Sequence, residues 1–128
     1  MSVFNIKWLV VAVLFTAAVV LFSHLPQEVT PSRLEAMDMD KLQHILAYGA
    51  MTVLFVLSLR RFPSLLSVAL LFSAIIGVGA VDELSQPLVN RTASLADWLA
   101  DVIGIIIALA TFLCVSQSKR QASLNVDT

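Results

Sequence analysis

Most of the polar side chains that could do chemistry lie in three short clusters of an otherwise apolar sequence. The first cluster, Asp40-Lys41-Leu42-Gln43-His44-Ile45-Leu46-Ala47-Tyr48, opens an apolar stretch. At about 100° per residue on a helix, Asp40, Lys41, His44 and Tyr48 fall within about a quarter of the circumference. Because lipid cannot satisfy such groups, we expect this stripe to face other helices or a water-filled cavity.

The second cluster runs from Asp82 to Arg91, at the end of another apolar stretch. If the helix continues to Gln86, then Gly79, Glu83 and Gln86 share one face. The glycine would then let a neighbouring backbone approach closely.

The third cluster holds Asp97 and Asp101, which are one helical turn apart, with Gly104 and Ala108 continuing the same side as a small-residue packing surface. Two carboxylates at this spacing repel each other. We therefore expect Arg91, Lys41 or a bound cation nearby, and a polar site that all three clusters share.

The candidate site combines acid–base groups with groups suited to ligand binding. As candidate catalytic acids or bases we take Asp40, His44, Glu83 and Asp97; as candidate ligand-binding residues we take Lys41, Tyr48, Gln86, Arg91 and Asp101. A structural network that only holds the helices together explains the same residues. A zinc or manganese site is the third and least favoured interpretation, so no metal and no cofactor is predicted.

Two further polar residues are interpreted more simply. His24, near the end of the first apolar stretch, is taken as a membrane-interface residue. Ser85 with His44 and an acid would suggest a hydrolase triad, but no GxSxG sequence surrounds Ser85, and that interpretation is not favoured.

The elements that must position these residues are four apolar stretches in a chain of 128 residues with 59% hydrophobic residues and a mean hydropathy of +0.90. Each is long enough to cross an apolar layer of about 30 Å as a helix. The sequence therefore predicts an all-α polytopic membrane protein, a four-transmembrane-helix bundle in one domain over 1–118, followed by a polar cytoplasmic tail over 119–128. The predicted spans are 8–25, 42–59, 65–81 and 95–115.

A signal peptide is the alternative for the first stretch, but Ser23-His24-Leu25-Pro26 offers no small-x-small cleavage site. Lysine and arginine favour the amino terminus, the link at Arg60 and Arg61, and the tail. This bias predicts that both termini are cytoplasmic and that the polar clusters face outward.

The segments between the spans carry helix-start and turn signals. Between Pro26 and Asp40, Ser32 and Glu35 match a capping box and predict a short surface helix. Ser64 and Ser94 are predicted to cap the third and fourth spans, and Pro87 to end the third. The tail from Ser116 is predicted to be frayed.

Composition also excludes some functions. The net charge is −1 and no basic run could follow a phosphate backbone, so nucleic acid is not an expected partner. Cys114 is the single cysteine, which rules out a disulfide framework within the chain, and we expect it to be buried in the packing of its apolar stretch.

Taken together, the three clusters resemble the VanZ-like family of membrane proteins. The resemblance covers positions 40 to 108: DK-x-x-H-x-x-x-Y at the start of one span, then DE-x-x-Q, an arginine, and D-x-x-x-D/N-x-x-G. The matching residues are Asp40, Lys41, His44, Tyr48, Asp82, Glu83, Gln86, Arg91, Asp97, Asp101 and Gly104. Ser85 stands where many members have histidine, and Asp101 where many have asparagine.

The resemblance implies work on the bacterial cell envelope, since the family is named for an accessory protein of teicoplanin resistance. The function we expect is recognition or modification of a lipid-linked envelope component at the inner membrane, with membrane lipids or that precursor as ligand. The alternatives are a proton- or cation-coupled transporter subunit, which requires an oligomer or broken helices, and a non-enzymatic partner of an envelope enzyme.

Overall fold

The computed structural model describes residues 5–25, 33–59 and 64–126, and the regular structure in these residues is helical. The α-helices are α1 (Ile6–Ser23), α2 (Arg33–Ser58), α3 (Leu65–Ser85) and α4 (Leu95–Val126), and a 3₁₀ turn, Gln86–Val89, follows α3. Each α-helix contains a stretch long and apolar enough to cross a membrane. The predicted all-α architecture with four spans is confirmed.

The helix boundaries follow from caps that the sequence contains. Ser64 accepts a hydrogen bond from the backbone N–H of Ser67 at 3.1 Å and starts α3. The Ser94 hydroxyl accepts one from the N–H of Asp97 at 3.2 Å and starts α4. The α-helical geometry of α3 ends just before Pro87. These three predictions are confirmed, and they fix where the polar clusters begin and end.

Two helices are longer than predicted. The helix expected between Pro26 and Asp40 is not separate, because α2 runs unbroken from Arg33 into the second span. The predicted capping residue Ser32 lies outside the described residues. At the other terminus the tail is not frayed from Ser116, since α4 continues to Val126. Residues 33–40 and 116–126 contain no Pro or Gly that would end a helix, and most of them are good helix formers.

The central contact of the bundle is the crossing of α2 with α4. A Cβ atom at Gly104 would collide with the carbonyl oxygen of Ile45, and one at Gly49 would lie 3.4 Å from the carbonyl oxygen of Gly104. Small residues therefore let the two backbones touch, as predicted for Gly104. α1 packs on α2, while α3 packs mainly on α4 and less on α2.

The packing places two kinds of surface in the molecule. Tyr48, Met51, Ile75 and Ile105 form a buried core between the helices. Large apolar side chains such as Leu14 and Phe22 are more than half exposed, at 65% and 69%. Apolar residues that cover the outside suit a lipid solvent, and we describe the chain as a membrane protein.

Candidate functional site

The three polar clusters meet at one end of the bundle, which we call the polar end. It comprises the end of α1 (23–25), the first turns of the second span (40–48), the end of α3 with the 3₁₀ turn (82–91), and the start of α4 (94–101). His44 lies at its centre: Nδ1 is 2.8 Å from Asp101 Oδ1, and Nε2 is 4.0 Å from Glu83 Oε1. One imidazole thus connects α2, α3 and α4, which brings the clusters together as the sequence predicted.

Asp101 is fully buried, and its compensating contact is His44, whereas the sequence pointed to Arg91, Lys41 or a bound cation. Its second oxygen, Oδ2, has no hydrogen-bond partner among the described residues. A Cβ at Gly79 would lie 2.9 Å from this oxygen and 3.2 Å from Tyr48 Cε1. Gly79 therefore makes room for side chains, and the expectation that it admits a neighbouring backbone was wrong.

Glu83 and Gln86 brace the turn between α3 and α4. Glu83 Oε2 accepts a hydrogen bond from the backbone N–H of Ser94 at 2.8 Å, and Oε1 accepts one from Gln86 Nε2 at 3.1 Å. Both side chains are buried. The turn between α3 and α4 contains Asn90 in the left-handed conformation (φ 60°), which asparagine tolerates well. Glu83 is thus engaged with protein on both oxygens, which favours a structural role for a residue proposed as acid or base.

Three residues outside the predicted site residues join α1 to α3: Ser23, His24 and Asp82. The sequence placed Asp82 in the second polar cluster and His24 at the membrane interface, and it gave no role to Ser23. The Ser23 hydroxyl donates to Asp82 Oδ1 at 2.6 Å, and Tyr48 donates to Asp82 Oδ2 at 3.4 Å. His24 Nδ1 lies 3.4 Å from Asp82 Oδ1. Asp82 is 1% exposed, so these contacts satisfy a buried carboxylate. The signal that was available is positional, because Ser23 and His24 end the first span at the level where the other clusters begin.

His24, and not His44, is the histidine beside Ser85. His24 Nε2 lies 2.9 Å from Ser85 Oγ. His24 Nδ1 is closer to the carbonyl oxygen of Val20, at 2.7 Å, than to Asp82. Because a triad needs the acid to orient the imidazole, and here a backbone carbonyl does so, the arrangement is better explained as a pin between helix ends. The interfacial interpretation of His24 therefore omitted its main contacts.

A cavity of about 450 Å³ opens beside these contacts between α1, α2 and the end of α3. Its α1 wall is mostly apolar, and its opposite wall is polar. Arg91 crosses from the turn after α3 and donates to the backbone carbonyl of Ser23. The lining residues are Phe15, Ala18, Val19, Phe22, Ser23 and Leu25 from α1 and its end, Asp40, Gln43, His44, Ala47 and Tyr48 from α2, and Asp82 and Arg91.

The remaining predicted residues occupy the edge of the polar end. Asp40 and Asp97 are half-buried, and each offers a carboxylate oxygen within 4.8 Å of the other and of a ring nitrogen of His44. Lys41 lies on α2, is half-buried and has an interaction partner. Four of the nine predicted site residues line the cavity: Asp40, His44, Tyr48 and Arg91.

Cys114 is exposed on α4, far along the helix from the polar end, so the prediction that it packs in a buried position was wrong within this chain. On a membrane-spanning helix an exposed thiol faces an apolar solvent.

Comparison with known proteins gave no match: no protein-family model, curated protein or solved structure is similar to this chain.

Proposed function

We propose that this chain binds a membrane amphiphile with an anionic head group, and that the cavity at the polar end is the binding site. The observation that carries the proposal is the division of the cavity wall. Phe15, Val19 and Phe22 offer apolar surface on one side, while Asp40, His44 and Arg91 offer polar groups on the other. A molecule with an acyl chain and a polar head matches both walls.

Arg91 is the residue we assign to the head group. A guanidinium carries five N–H donors in a planar fork that suits phosphate and carboxylate. Its contact with the Ser23 carbonyl holds it against the end of α1, where both residues line the cavity. Asp40 and His44 line the same space and are the groups available to exchange a proton with a bound head group. Binding is the primary function proposed, and modification of the ligand is its extension.

The cellular setting we propose is the bacterial inner membrane, with the polar end on the outer face. The lysine and arginine bias supports this orientation. The resemblance to the VanZ-like family supports a lipid-linked precursor of the cell envelope as the ligand. A link to teicoplanin resistance is inferred from that family alone.

The orientation is tested by labelling single cysteines in a Cys114→Ser background with a membrane-impermeant maleimide on intact cells. Thr92→Cys, exposed at the polar end, should label on intact cells, whereas Ala122→Cys, exposed near the end of α4, should label only after permeabilisation. The reverse pattern would place the cavity on the cytoplasmic side.

Ligand binding is tested by mass spectrometry of lipids that copurify with the protein in a mild detergent. One amphiphile should be enriched over its share of the membrane, and Arg91→Gln should reduce that enrichment about tenfold, the effect of losing one charge-assisted contact. Lys7→Gln is the matched control, because Lys7 is exposed at the opposite end of α1. Equal enrichment in all three proteins would refute the assignment of Arg91, and no enrichment in any would refute the function.

A further inference from the structure

His44 is surrounded by carboxylates from three helices. Asp40, Glu83, Asp97 and Asp101 all approach its ring, and two sets of three possible ligand atoms share this histidine. One set is Asp40, His44 and Asp97, and the other is His44, Glu83 and Asp101. In each set the atoms lie within 4.8 Å of one another. Ligands about 2.0 to 2.2 Å from a common ion are about 3 to 4.4 Å apart, so small side-chain movements would suffice.

Hydrogen bonding distinguishes the two sets. Glu83 already accepts bonds on both oxygens, from Ser94 and Gln86. Asp101 bonds His44 at Nδ1, which fixes the ring and directs Nε2 away from Asp101. His44 is only 8% exposed, and its Nε2 makes no hydrogen bond to the residues that the structure describes. A ring nitrogen without a hydrogen bond is available as a ligand, and a carboxylate on the other nitrogen is the usual support for a metal-bound histidine.

Charge gives a second, independent indication. Asp101 Oδ2 is buried at this junction without a hydrogen-bond partner among the described residues. Buried carboxylates are costly unless a positive charge or a donor compensates them, so the incompletely paired carboxylate that bonds His44 favours a cation on the other nitrogen of the same ring. Asp40 and Asp97, each half-buried beside the same ring, add further negative charge.

We propose that the polar end binds one divalent first-row transition-metal ion, with His44 Nε2 and one carboxylate oxygen each from Asp40 and Asp97 as its ligands. A mixed nitrogen and oxygen set suits zinc or manganese. Asp101 is a positioning residue that acts through His44. Three protein ligands leave a coordination position open toward the cavity that Asp40 and His44 line. With the ion bound, these two residues act on a head group through the metal and do not exchange protons with it. A phosphate oxygen of the head group would occupy that position, and this role of the ion rests on the proposed function.

The site is tested by metal titration of the full chain in detergent, after chelator treatment and without added lipid. Mn²⁺ binding is followed by electron paramagnetic resonance, and Zn²⁺ by its competition with Mn²⁺. We expect one saturable site per chain. His44→Gln, Asp40→Asn and Asp97→Asn should each weaken binding at least about tenfold, and Asp101→Asn about 10- to 100-fold, as for other residues that support a metal ligand.

Asp82→Asn is the matched control, because it removes one carboxylate from the same end of the bundle without touching either set of ligand atoms. Its affinity should fall by less than that of any of the three ligand variants, because Asp82 supplies no ligand atom. Equal weakening by Asp82→Asn would mean diffuse attraction of cations to an acidic surface and would overturn the site. No saturable binding to the unmodified chain would overturn it as well.

Thermal unfolding of each variant in the absence of metal separates loss of a ligand from loss of fold. If His44→Gln unfolds, Asp40→Asn and Asp97→Asn decide the question, since both residues are half-buried at the edge of the bundle. Metal binding without a copurified amphiphile would retain the ion and reject the proposed function. Copurification of an amphiphile without metal binding would retain the proposed function and reject the metal site.

Discussion

The two ends of the bundle are held together by different kinds of polar contact. At the polar end, the buried side chains bond across helices: His44 to Asp101 over 57 positions, and Ser23 to Asp82 over 59. At the opposite end, the buried polar side chains among the described residues are Thr52 and Ser58, and each bonds a carbonyl of its own helix. Local bonds of that kind satisfy the hydroxyl without fixing a neighbouring helix. The side-chain hydrogen bonds that connect buried polar residues of different helices are therefore concentrated at the polar end.

This contrast bears on the transporter alternative. Among the described residues, the buried histidine and the buried carboxylates all lie at the polar end: they are His44, Asp82, Glu83 and Asp101. A path for protons or cations needs groups at successive depths across the membrane. The described part of a single chain therefore supports a site at one end better than a path through the bundle.

The largest effect is expected where the buried contact between His44 and Asp101 is broken. Asp101→Ala should lower the free energy of unfolding by about 3 to 5 kcal/mol, because it leaves the buried His44 without its partner. Asp101→Asn keeps an acceptor oxygen for His44 and should cost clearly less. Thermal unfolding in detergent measures both variants. Equal losses would mean that charge, and not the hydrogen bond, holds this junction together.

The next effect concerns the crossing that carries the polar end. Gly104→Ala should cost about 3 kcal/mol, the upper end for an overpacked site, because its new methyl group collides with the backbone carbonyl of Ile45. Gly77→Ala is the matched control, since a Cβ there would meet no described atom within 4 Å apart from its chain neighbours and the backbone of its own helix. The amount of each protein that accumulates in the membrane, together with its unfolding temperature, gives the comparison. A stable Gly104→Ala protein would contradict the close α2–α4 contact.

A smaller effect tests whether Glu83 is a brace. The amide of Glu83→Gln keeps one acceptor oxygen for the Ser94 N–H but presents an NH₂ group to Gln86 Nε2, so Gln86 must flip or lose its partner, and both hydrogen bonds lose the carboxylate charge. We expect a loss of about 1 to 2 kcal/mol and faster hydrogen exchange at the Ser94 amide. Unchanged exchange, together with loss of function, would instead assign Glu83 to chemistry.

The smallest effect is expected at the opposite end. Thr52→Val removes a hydroxyl that bonds the Tyr48 carbonyl within the same helix at 2.8 Å. The loss should be under about 1 kcal/mol, because no contact between helices depends on it. A cost equal to that of Asp101→Ala, measured by the same unfolding assay, would remove the contrast between the two ends.

The sequence predicted the spans and the meeting of the three clusters because both follow from solvation. Asp40, His44, Glu83 and Asp101 cannot face lipid, and each begins or ends an apolar stretch, so the helices must turn these residues toward one another. The capping residues Ser64 and Ser94 were equally readable, since a cap is a local feature of the sequence.

The pairing of these groups was not readable, because it depends on distances between helices. Nothing in the spacing of Ser23 and His24 indicates that Asp82 and Ser85 lie beside them. Similarly, only the path of α4 determines that His44, rather than Arg91, contacts Asp101. The extent of α2 was missed because Pro31 and the capping signal at Ser32 suggested a separate element, while no helix-breaking residue follows them.

The central claim is that the end of α1 contacts the end of α3 at the polar end, beside the cavity that both helix ends line. Cross-linking in the membrane with a short bis-maleimide tests it most directly, using Ser23→Cys with Ser85→Cys in a Cys114→Ser background. Both serines contact His24, at 3.0 Å and 2.9 Å, so this pair should cross-link efficiently. Ser23→Cys with Ser118→Cys, on α4 toward the opposite end, should not. Absence of the first product, or equal yields from both pairs, would contradict the account.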